Sequence, residues 1–472
     1  MSHRLRKSRR ASERGFSLIE LVISLLIAIE ILVAAALAFD VHNRMASIQV
    51  QITDMQQSMR VAQYDIVRHV RMAGRGGLPA EVVPSAIYAT AAPVLNGLAV
   101  EVRNNVEDDA RAISRDDADS PDALPLTDIL TVRGCFGGSI FQINPEDFDW
   151  DPDANDIADT STIEIPELSI AGLPQPYDSI LEQIQDAEGS AEDLGGVLGR
   201  LVIVSTESLQ KYGIANITGY EETPGDDSTP GVLTLTLRLD TGSPLNPIDP
   251  DTDPPVRRFI PEMDATLACY LEEHRYYVRD VDGDAITPKK PRLARARFEP
   301  GTELPYLADD ANYSLDVADN IIDLQVALGF DSDYFEGYVA GSAGSFGDDT
   351  DWIGPDDLIY EADRLDDATD PSRDDWLFNW PADRVADTQY TLHANTAQAG
   401  LPVQLHYVRV STVARTARPD PSYDAPDMDI DPDGEWVEDH DFTDVLSEEF
   451  VAGDGKKHRR RVLTTMIEMR NI

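Results

Sequence analysis

The chain has little cysteine, little positive charge and no familiar catalytic motif. It contains 2 cysteines in 472 residues, which excludes a small disulfide-stapled domain but leaves room for one bridge. Lys and Arg number 39 against 86 Asp and Glu, and the formal net charge is -47. A field of this sign repels nucleic acid and anionic lipid, so we expect no nucleic-acid partner.

Motifs of the common catalytic sites are also missing. The 8 histidines form no HExxH pattern, the cysteines lack CxxC spacing, and neither GxSxG nor GxxxxGK[ST] occurs. Paired carboxylates occur by chance in any chain this acidic, so they do not indicate a glycosidase. We therefore expect this protein not to be an enzyme.

A basic leader precedes a long apolar run at the amino terminus. Residues 1–15 carry six Lys and Arg against one acid, and the run from Phe16 to Phe39 is interrupted only by polar Ser17, Glu20, Ser24 and Glu30. About 20 apolar residues suffice to cross a bilayer as a helix. The positive-inside rule keeps the leader cytoplasmic and places the rest of the chain outside.

The one small residue at this junction lies before the apolar run. Gly15 precedes the run, whereas an ordinary signal peptidase cuts after it. Cleavage at the ordinary position would discard the helix, and cleavage after Gly15 would keep it with Phe16 as the new terminus. Composition alone leaves this open against an uncleaved anchor.

The six residues GFSLIE, from Gly15 to Glu20, resemble the class III signal of type IV prepilins and type II secretion pseudopilins. The resemblance implies that prepilin peptidase cleaves between Gly15 and Phe16 and methylates the Phe16 amine. It also implies that Glu20 pairs with the terminal amine of a neighbouring subunit. Such a pair would offset the cost of a carboxylate in a span, about 2.5–3.5 kcal/mol. Glu30 lies outside the motif and has no assigned role.

Helical periodicity continues beyond the apolar run. Apolar residues recur every three or four positions from Ile48 to Val70, and a cluster of glycines begins at Gly74. The stripe favours packing on a head, with a coiled-coil or dimer face as the alternative. The predicted segments are a cleaved basic leader (1–15), a transmembrane half-helix (16–39), a periplasmic half-helix (40–73) and a β-rich head with acidic insertions (74–472).

The remainder of the chain alternates short β-branched segments with long acidic stretches. We predict an α+β fold, in which the long amino-terminal helix packs on a mostly antiparallel β-sheet head with long acidic loops. The predicted strands are Gly97–Arg103, Asp128–Arg133, Arg200–Ser205, Val232–Leu239, Arg275–Arg279, Ile321–Phe330, Val403–Ser411 and Arg461–Arg470.

Four head segments resemble, in order, parts of PilW-type minor pilins: Thr127–Arg133, His274–Arg279 with Leu293–Arg295, Asp319–Val326 and Arg460–Asn471. The resemblance implies an inner-membrane protein with a periplasmic head that later reaches the pilus and cell surface. Its partners would be prepilin peptidase, other minor and major pilins and the pilus assembly machinery. A bulky head favours a priming or tip complex, because it would crowd repetitive packing along a shaft. A minor pseudopilin of a type II secretion system is the alternative.

One acidic stretch matches the first half of an EF-hand-like calcium loop. Alternating aspartates followed by Gly434 fit that pattern, but His440 occupies the twelfth position, where a bidentate glutamate is expected. Calcium is therefore the one cofactor considered, and solvated acidic loops without a metal are the alternative. If calcium binds, a calcium-dependent tip adhesin is a further alternative for the function. The carboxylates concerned are Asp429, Asp431, Asp433 and, near the twelfth position, Glu438, Asp439 or Asp441.

The two cysteines are Cys135 and Cys269. In an exported head they can form one disulfide, which would stabilise the fold by about 4–5 kcal/mol in the chain-entropy account of so long a loop. Two buried thiols are the alternative. Sequence spacing does not choose between them.

Overall fold

A computed structural model of the chain divides it into two compact units, Met1–Asp54 and Met55–Ile472. Each unit is described by itself. The residues that the structure describes are 17–78, 81–82, 94–95, 99–106, 112–114, 121–137, 140–143, 160–169, 171–175, 177–188, 196–205, 212–225, 230–239, 245–246, 248–249, 256–257, 265–281, 290–306, 314–330, 376–377, 403–420, 436–437, 440–441 and 458–469.

The longest element is helix α1 (Leu18–Met72), which contributes to both units. Within the second unit one face of α1 is buried, at the three- and four-residue spacing that the sequence predicts. The head of the same chain therefore covers this stripe from Met55 onward, and no second helix is needed to bury it. The buried apolar residues are Met55, Met59, Ala62, Ile66 and Val70.

Strands make up most of the described residues of the second unit, and these residues also include a second helix, α2 (Asp178–Glu188). The described strands are β1 (Glu81–Val82), β2 (Val94–Leu95), β3 (Val100–Arg103), β4 (Ile129–Gly134), β5 (Phe141–Gln142), β6 (Thr160–Pro166), β7 (Gly199–Ser205), β8 (Tyr212–Thr223), β9 (Val232–Leu239), β10 (Ile248–Asp249), β11 (Val256–Arg257), β12 (Ala265–Val281), β13 (Lys290–Phe298), β14 (Ser314–Asp319), β15 (Ile321–Phe330), β16 (Trp376–Leu377), β17 (Val403–Arg415), β18 (Trp436–Val437), β19 (His440–Asp441) and β20 (Arg460–Glu468).

The larger sheet is organised around the long strand β12. Its main order is β2-β3-β4-β12-β7-β8-β9-β6, with β5 and β13 also paired to β12 and β14 paired to β13. Residues 265–271 of β12 pair with β7, whereas the second half pairs with β4 and β13. One strand therefore joins two smaller sheets, and Glu272, Glu273 and His274 lie where its partners change.

The smaller sheet has the order β1-β17-β15-β16, with β20 paired to β17. Buried Asp128, which precedes β4 of the larger sheet, links the two sheets. Its carboxylate accepts hydrogen bonds from the amides of Asn105 at 2.8 Å and Val326 at 2.7 Å. A buried carboxylate is stable here because backbone N–H groups replace the water it has lost.

One apolar core lies between α2 and strands β6 to β9. Along β9 the buried residues Leu233, Leu235 and Leu237 alternate with half-exposed threonines, as a strand with one covered face requires. Helix α2 covers that face with Ile180 and Ile184, which are four residues apart on one side of the helix. Amphipathic periodicity in both elements therefore gives each one a buried face in this core.

The structure confirms one long apolar amino-terminal helix followed by a mostly antiparallel sheet. The predicted bounds of β9 and β15 are correct, and α1 begins and ends within two residues of the expected positions. Strand β12 begins ten residues before the predicted Arg275, because buried ion pairs neutralise the charges in its middle. Helix α2 and strand β8 were not predicted. The acidic stretches lie largely outside the described residues.

The glycine-containing turn that follows α1 packs against a disulfide. The structure joins Cys135 and Cys269, with 6.2 Å between their Cα atoms. Gly76 has a φ of 98°, in the left-handed region, and a Cβ built there would overlap both sulfurs. Glycine is therefore required at this position by backbone conformation and by contact.

We expect Gly76→Ala to lower the free energy of unfolding by about 2–4 kcal/mol, because overpacking adds to backbone strain. Denaturant unfolding of the detergent-solubilised chain would measure this loss. Gly172→Ala is the matched control, since Gly172 has a φ of 74° but nothing within 4 Å of a built Cβ. In the control, backbone strain alone should lower the free energy of unfolding, by about 1 kcal/mol. Equal losses in the two variants would contradict the packing of Gly76 against the disulfide.

Candidate functional site

The first part of α1 presents apolar side chains on every side. Leu18, Ile19, Leu32 and Phe39 each expose between 66% and 83% of their surface. Among the described residues, α1 is the one helix long and apolar enough to cross a membrane, and its most apolar 18-residue stretch buries no residue. A helix that is apolar all round requires an apolar environment. The composition therefore supports a single membrane anchor at the amino terminus.

Glu20 lies in the first turn of α1 and caps the start of the helix. The Ser17 amide donates a hydrogen bond to the Glu20 carboxylate at 3.0 Å, and Ser17 Oγ accepts one from the Ile19 amide at 3.4 Å. This is a capping box, in which an acid satisfies an amide that the helix leaves unbonded. The carboxylate is exposed, so it keeps room to accept a second partner.

Gly15 and Phe16, the predicted cleavage and methylation residues, lie outside the described residues. Their assignment rests on the sequence alone. The capping role of Glu20 was not predicted, although Ser17 and Glu20 have the spacing S-x-x-E that marks a capping box. Glu20 therefore has a local function that any assembly role must accommodate.

A buried amide fixes the second half of α1 to the smaller sheet. Gln63 Nε2 donates to the carbonyl oxygens of Val410 at 3.2 Å and Leu463 at 3.0 Å, and lies 3.0 Å from Thr412 Oγ1. These groups lie on β17 and β20. Apolar contacts alone are non-directional, whereas hydrogen bonds of one side chain to two strands set the position of the helix along the sheet.

A second polar cluster joins α1 to the larger sheet. The Tyr276 hydroxyl donates to Asp65 Oδ2 at 2.7 Å, and Arg295 Nη1 donates to the same carboxylate at 3.0 Å. Arg295 Nη1 also lies 3.2 Å from His69 Nε2. Because Nε2 accepts from arginine, the neutral His69 carries its proton on Nδ1, which lies 2.7 Å from the Tyr276 hydroxyl. One helix and two strands thus share a closed hydrogen-bond cycle.

His274 stacks edge-on beside His69. Their ring centroids are 4.9 Å apart, and the ring of Phe136 lies 5.1 Å from each. On its other side His274 Nε2 faces the Glu272 carboxylate at 3.6 Å. The Gly137 amide donates to that carboxylate at 2.6 Å, which holds it in place. The two histidines therefore lie in a buried junction between α1 and β12.

Burial sets the protonation of this junction. It lowers the pKa of His274 to about 4, against the opposing effect of Glu272. It also lowers the pKa of His69, and the charge of Arg295 lowers that pKa further. Burial alone would raise the pKa of Glu272, but the close contact with His274 and the charge of Arg297 lower it overall. At pH 7 both histidines are neutral and Glu272 is ionised.

A buried ion network lies next to this junction on β12. Glu273 accepts hydrogen bonds from Arg133 Nε at 2.6 Å, Arg275 Nε at 2.8 Å and the Gly301 amide at 2.9 Å. Burial alone would raise the pKa of Glu273, but the two arginine charges lower it to about 2. Loss of one partner from such a network costs about 3–5 kcal/mol. The network therefore stabilises β12 where its partner strands change.

The predicted calcium ligands Asp429, Asp431 and Asp433 lie outside the described residues. Asp441 lies in β19, which pairs with β18. Within the described part of the chain, no group of three or more His, Cys, Asp or Glu side chains is placed to hold a metal ion. The calcium hypothesis gains no support from the described residues.

The pairing of His69 with His274 was not predicted from sequence. Asp65 and His69 have the four-residue spacing that places side chains on one helix face, and this was the one available local indication. His274 lies in a segment noted only for its resemblance to minor pilins. Their meeting depends on how α1 lies on β12, which is a property of the tertiary fold.

We expect the free energy of unfolding to decrease as the pH falls from 6.5 to about 4. The unfolded chain protonates His274 near its ordinary pKa of 6.5, whereas the folded chain does so near 4. The stabilisation is therefore complete above 6.5 and is lost as the pH falls through this range, by about 3 kcal/mol for this group. Urea unfolding of the detergent-solubilised chain across the range would measure the loss.

The variant His274→Phe isolates this contribution, because it keeps a ring of similar size but cannot take up a proton. Its unfolding free energy should depend less steeply on pH between 6.5 and 4 than that of the parent. His42→Phe is the matched control, because His42 is exposed on α1, and it should leave the slope unchanged. An unchanged slope in His274→Phe would show that His274 does not link protons to folding.

No family model, no curated protein and no solved structure matches this chain. Two features of the molecule bear on its function. One is an exposed apolar helix with a capping carboxylate at its start, and the other is a head that packs against the second half of that helix.

Proposed function

We propose that this chain is a minor pilin of the PilW type. It is anchored in the inner membrane, processed after Gly15 and docked with other minor pilins in a priming or tip complex of a type IV pilus. It acts by helix packing and an intermolecular ion pair and turns over no substrate. The observation that carries the proposal is the sequence Gly15–Glu20 at the junction between a basic leader and an exposed apolar helix.

Processing creates the cation that assembly requires. Cleavage after Gly15 leaves the Phe16 amine one residue before Ser17, the cap of α1. Methylation keeps the amine basic, as it does for lysine. The freed amine and the Glu20 carboxylate are then the two opposite charges at the start of the same helix.

The ion pair and the helix cap are compatible. A carboxylate has two oxygens with about four acceptor positions. The Ser17 amide uses one of them, at 3.0 Å from Oε2. The carboxylate therefore stays positioned in the free subunit and can accept a neighbour's amine on docking. In lipid this contact offsets part of the cost of the buried charge, about 2.5–3.5 kcal/mol on insertion scales.

The distribution of apolar surface supports docking through the first part of α1. From Met55 onward the buried face of α1 is covered by the head. Between Leu18 and Phe39 the apolar side chains are exposed and free to pack against lipid or other helices. The size of the head, residues 74–472, favours a terminal position, because a large head would crowd repeated packing along a shaft.

Gly15→Ala is expected to leave an uncleaved membrane precursor, because the added methyl obstructs backbone approach at the cleaved bond. Mass spectrometry of the membrane-extracted chain would detect the retained fifteen-residue leader. Ser12→Ala, a leader substitution outside the motif, should be processed normally. A mature Phe16 terminus in Gly15→Ala would defeat the processing assignment.

Glu20→Gln separates the charge of Glu20 from its capping role. Glutamine also serves in a capping box, so the variant should be cleaved and inserted with the start of α1 intact. It should nevertheless reduce surface filaments at least tenfold, because the neutral amide cannot pair with an amine at the strength of a carboxylate. Filaments are counted by electron microscopy of a complemented deletion strain with retraction blocked.

Glu30→Gln is the matched control, since it makes the same change further along the same exposed helix and outside the motif. It should assemble normally. Normal filament numbers in Glu20→Gln would mean that the carboxylate serves only the cap. Normal filaments together with lost secretion of exported enzymes in the deletion strain would favour the pseudopilin alternative.

A further inference from the structure

An open cleft of about 390 Å³ lies beside the histidine junction in the second unit. Arg68 and His69 line it from α1, His274 from β12, and Arg295 and Arg297 from β13. Its wall therefore combines side chains from three different elements. The pilin assignment uses none of these groups.

The cleft has an excess of positive charge in a strongly acidic chain. Three arginines line it, Arg68, Arg295 and Arg297, against two carboxylates, Asp65 and Glu272. With both histidines neutral, the lining side chains carry three positive and two negative charges, a balance of one positive. The whole chain carries a formal charge of -47, so this excess is a local exception. A cleft with this balance attracts an anion rather than a cation.

Two of the lining groups are left without a full set of partners. Arg68 is exposed and forms no ion pair with the described residues, whereas Arg295 pairs with Asp65 at 3.0 Å. His274 is buried, and no described group hydrogen bonds its Nδ1. Because Nε2 faces the Glu272 carboxylate, Nδ1 of the neutral ring is an acceptor, so the arginines and not this ring would contact an anion in the cleft.

The ring of Phe136 and the exposed side chain of Leu315 give the same cleft an apolar wall. Arg297 is held rigidly, with its guanidinium stacked 3.8 Å from the centre of the Tyr306 ring. It also donates to Gln183 at 3.2 Å. A fixed guanidinium loses little entropy on binding and suits a planar anion.

We propose that this cleft binds a carboxylate group, carried either by a free organic acid or by an acidic side chain of a partner protein. Arg68 supplies the unpaired cation, Arg295 and Arg297 supply oriented N–H donors, and Phe136 covers the carbon part of the ligand. A carboxylate balances the single excess charge. A phosphate monoester carries about -1.5 to -2 and would leave surplus negative charge beside Asp65 and Glu272.

Isothermal titration calorimetry of the detergent-solubilised full chain at low salt tests the proposal. The probes are propionate, a blocked peptide with one aspartate, and inorganic phosphate, so that each carboxylate probe carries a single negative charge. We expect propionate, the peptide or both to bind with a dissociation constant of roughly a millimolar or tighter. Heat from propionate alone indicates a free acid as ligand, and heat from the peptide alone indicates an acidic partner surface.

Arg68→Gln should weaken the binding about tenfold, the effect of losing one charge-assisted hydrogen bond. Arg60→Gln is the matched control, because it removes the same charge from an exposed position of the same helix outside the cleft. It should change the affinity less than roughly twofold. Three results overturn the proposal: no heat from either carboxylate probe, equal weakening in both variants, or tighter binding of phosphate than of propionate.

Discussion

The exposed apolar surface of α1 between Leu18 and Phe39 is the constraint that orders the rest of the molecule. Fully burying one such side chain is worth about 1.5–3 kcal/mol, so a run of them is stable only in lipid or against other helices. Within this surface the one charged group in the first turn is Glu20, which the Ser17 amide holds in place. The exposed helix thus carries one positioned carboxylate at its start.

The second half of α1 lies in a different environment, because one of its faces is packed against the head. Burial of its apolar stripe stabilises the contact between the helix and the head. The hydrogen bonds of Gln63 and the hydrogen bond between Asp65 and Tyr276 fix the position of the helix on the sheets. The turn at Gly76 then packs against the disulfide, which joins Cys135, directly after β4, to Cys269 in β12.

Local sequence patterns predict the helices and strands that bury one face and leave the other more exposed. Period-3.6 spacing gave α1 and its buried stripe, and the alternation of Leu233, Leu235 and Leu237 with polar residues gave β9. The length of β12 was missed because the charged residues in its middle are typical of a surface, and their neutralising partner Arg133 lies far away in the chain. The histidine junction could not be predicted, since His69 and His274 meet only through tertiary packing.

The central claim is that this polypeptide is a processed membrane subunit whose new terminus pairs with the carboxylate of a neighbour. The most direct measurement is the amino-terminal mass of the wild-type polypeptide isolated from the membranes of the producing cell. A terminus at N-methylated Phe16 is the predicted result, since cleavage after Gly15 creates the amine. An intact basic leader, or recovery of the polypeptide from the soluble fraction, would contradict the claim.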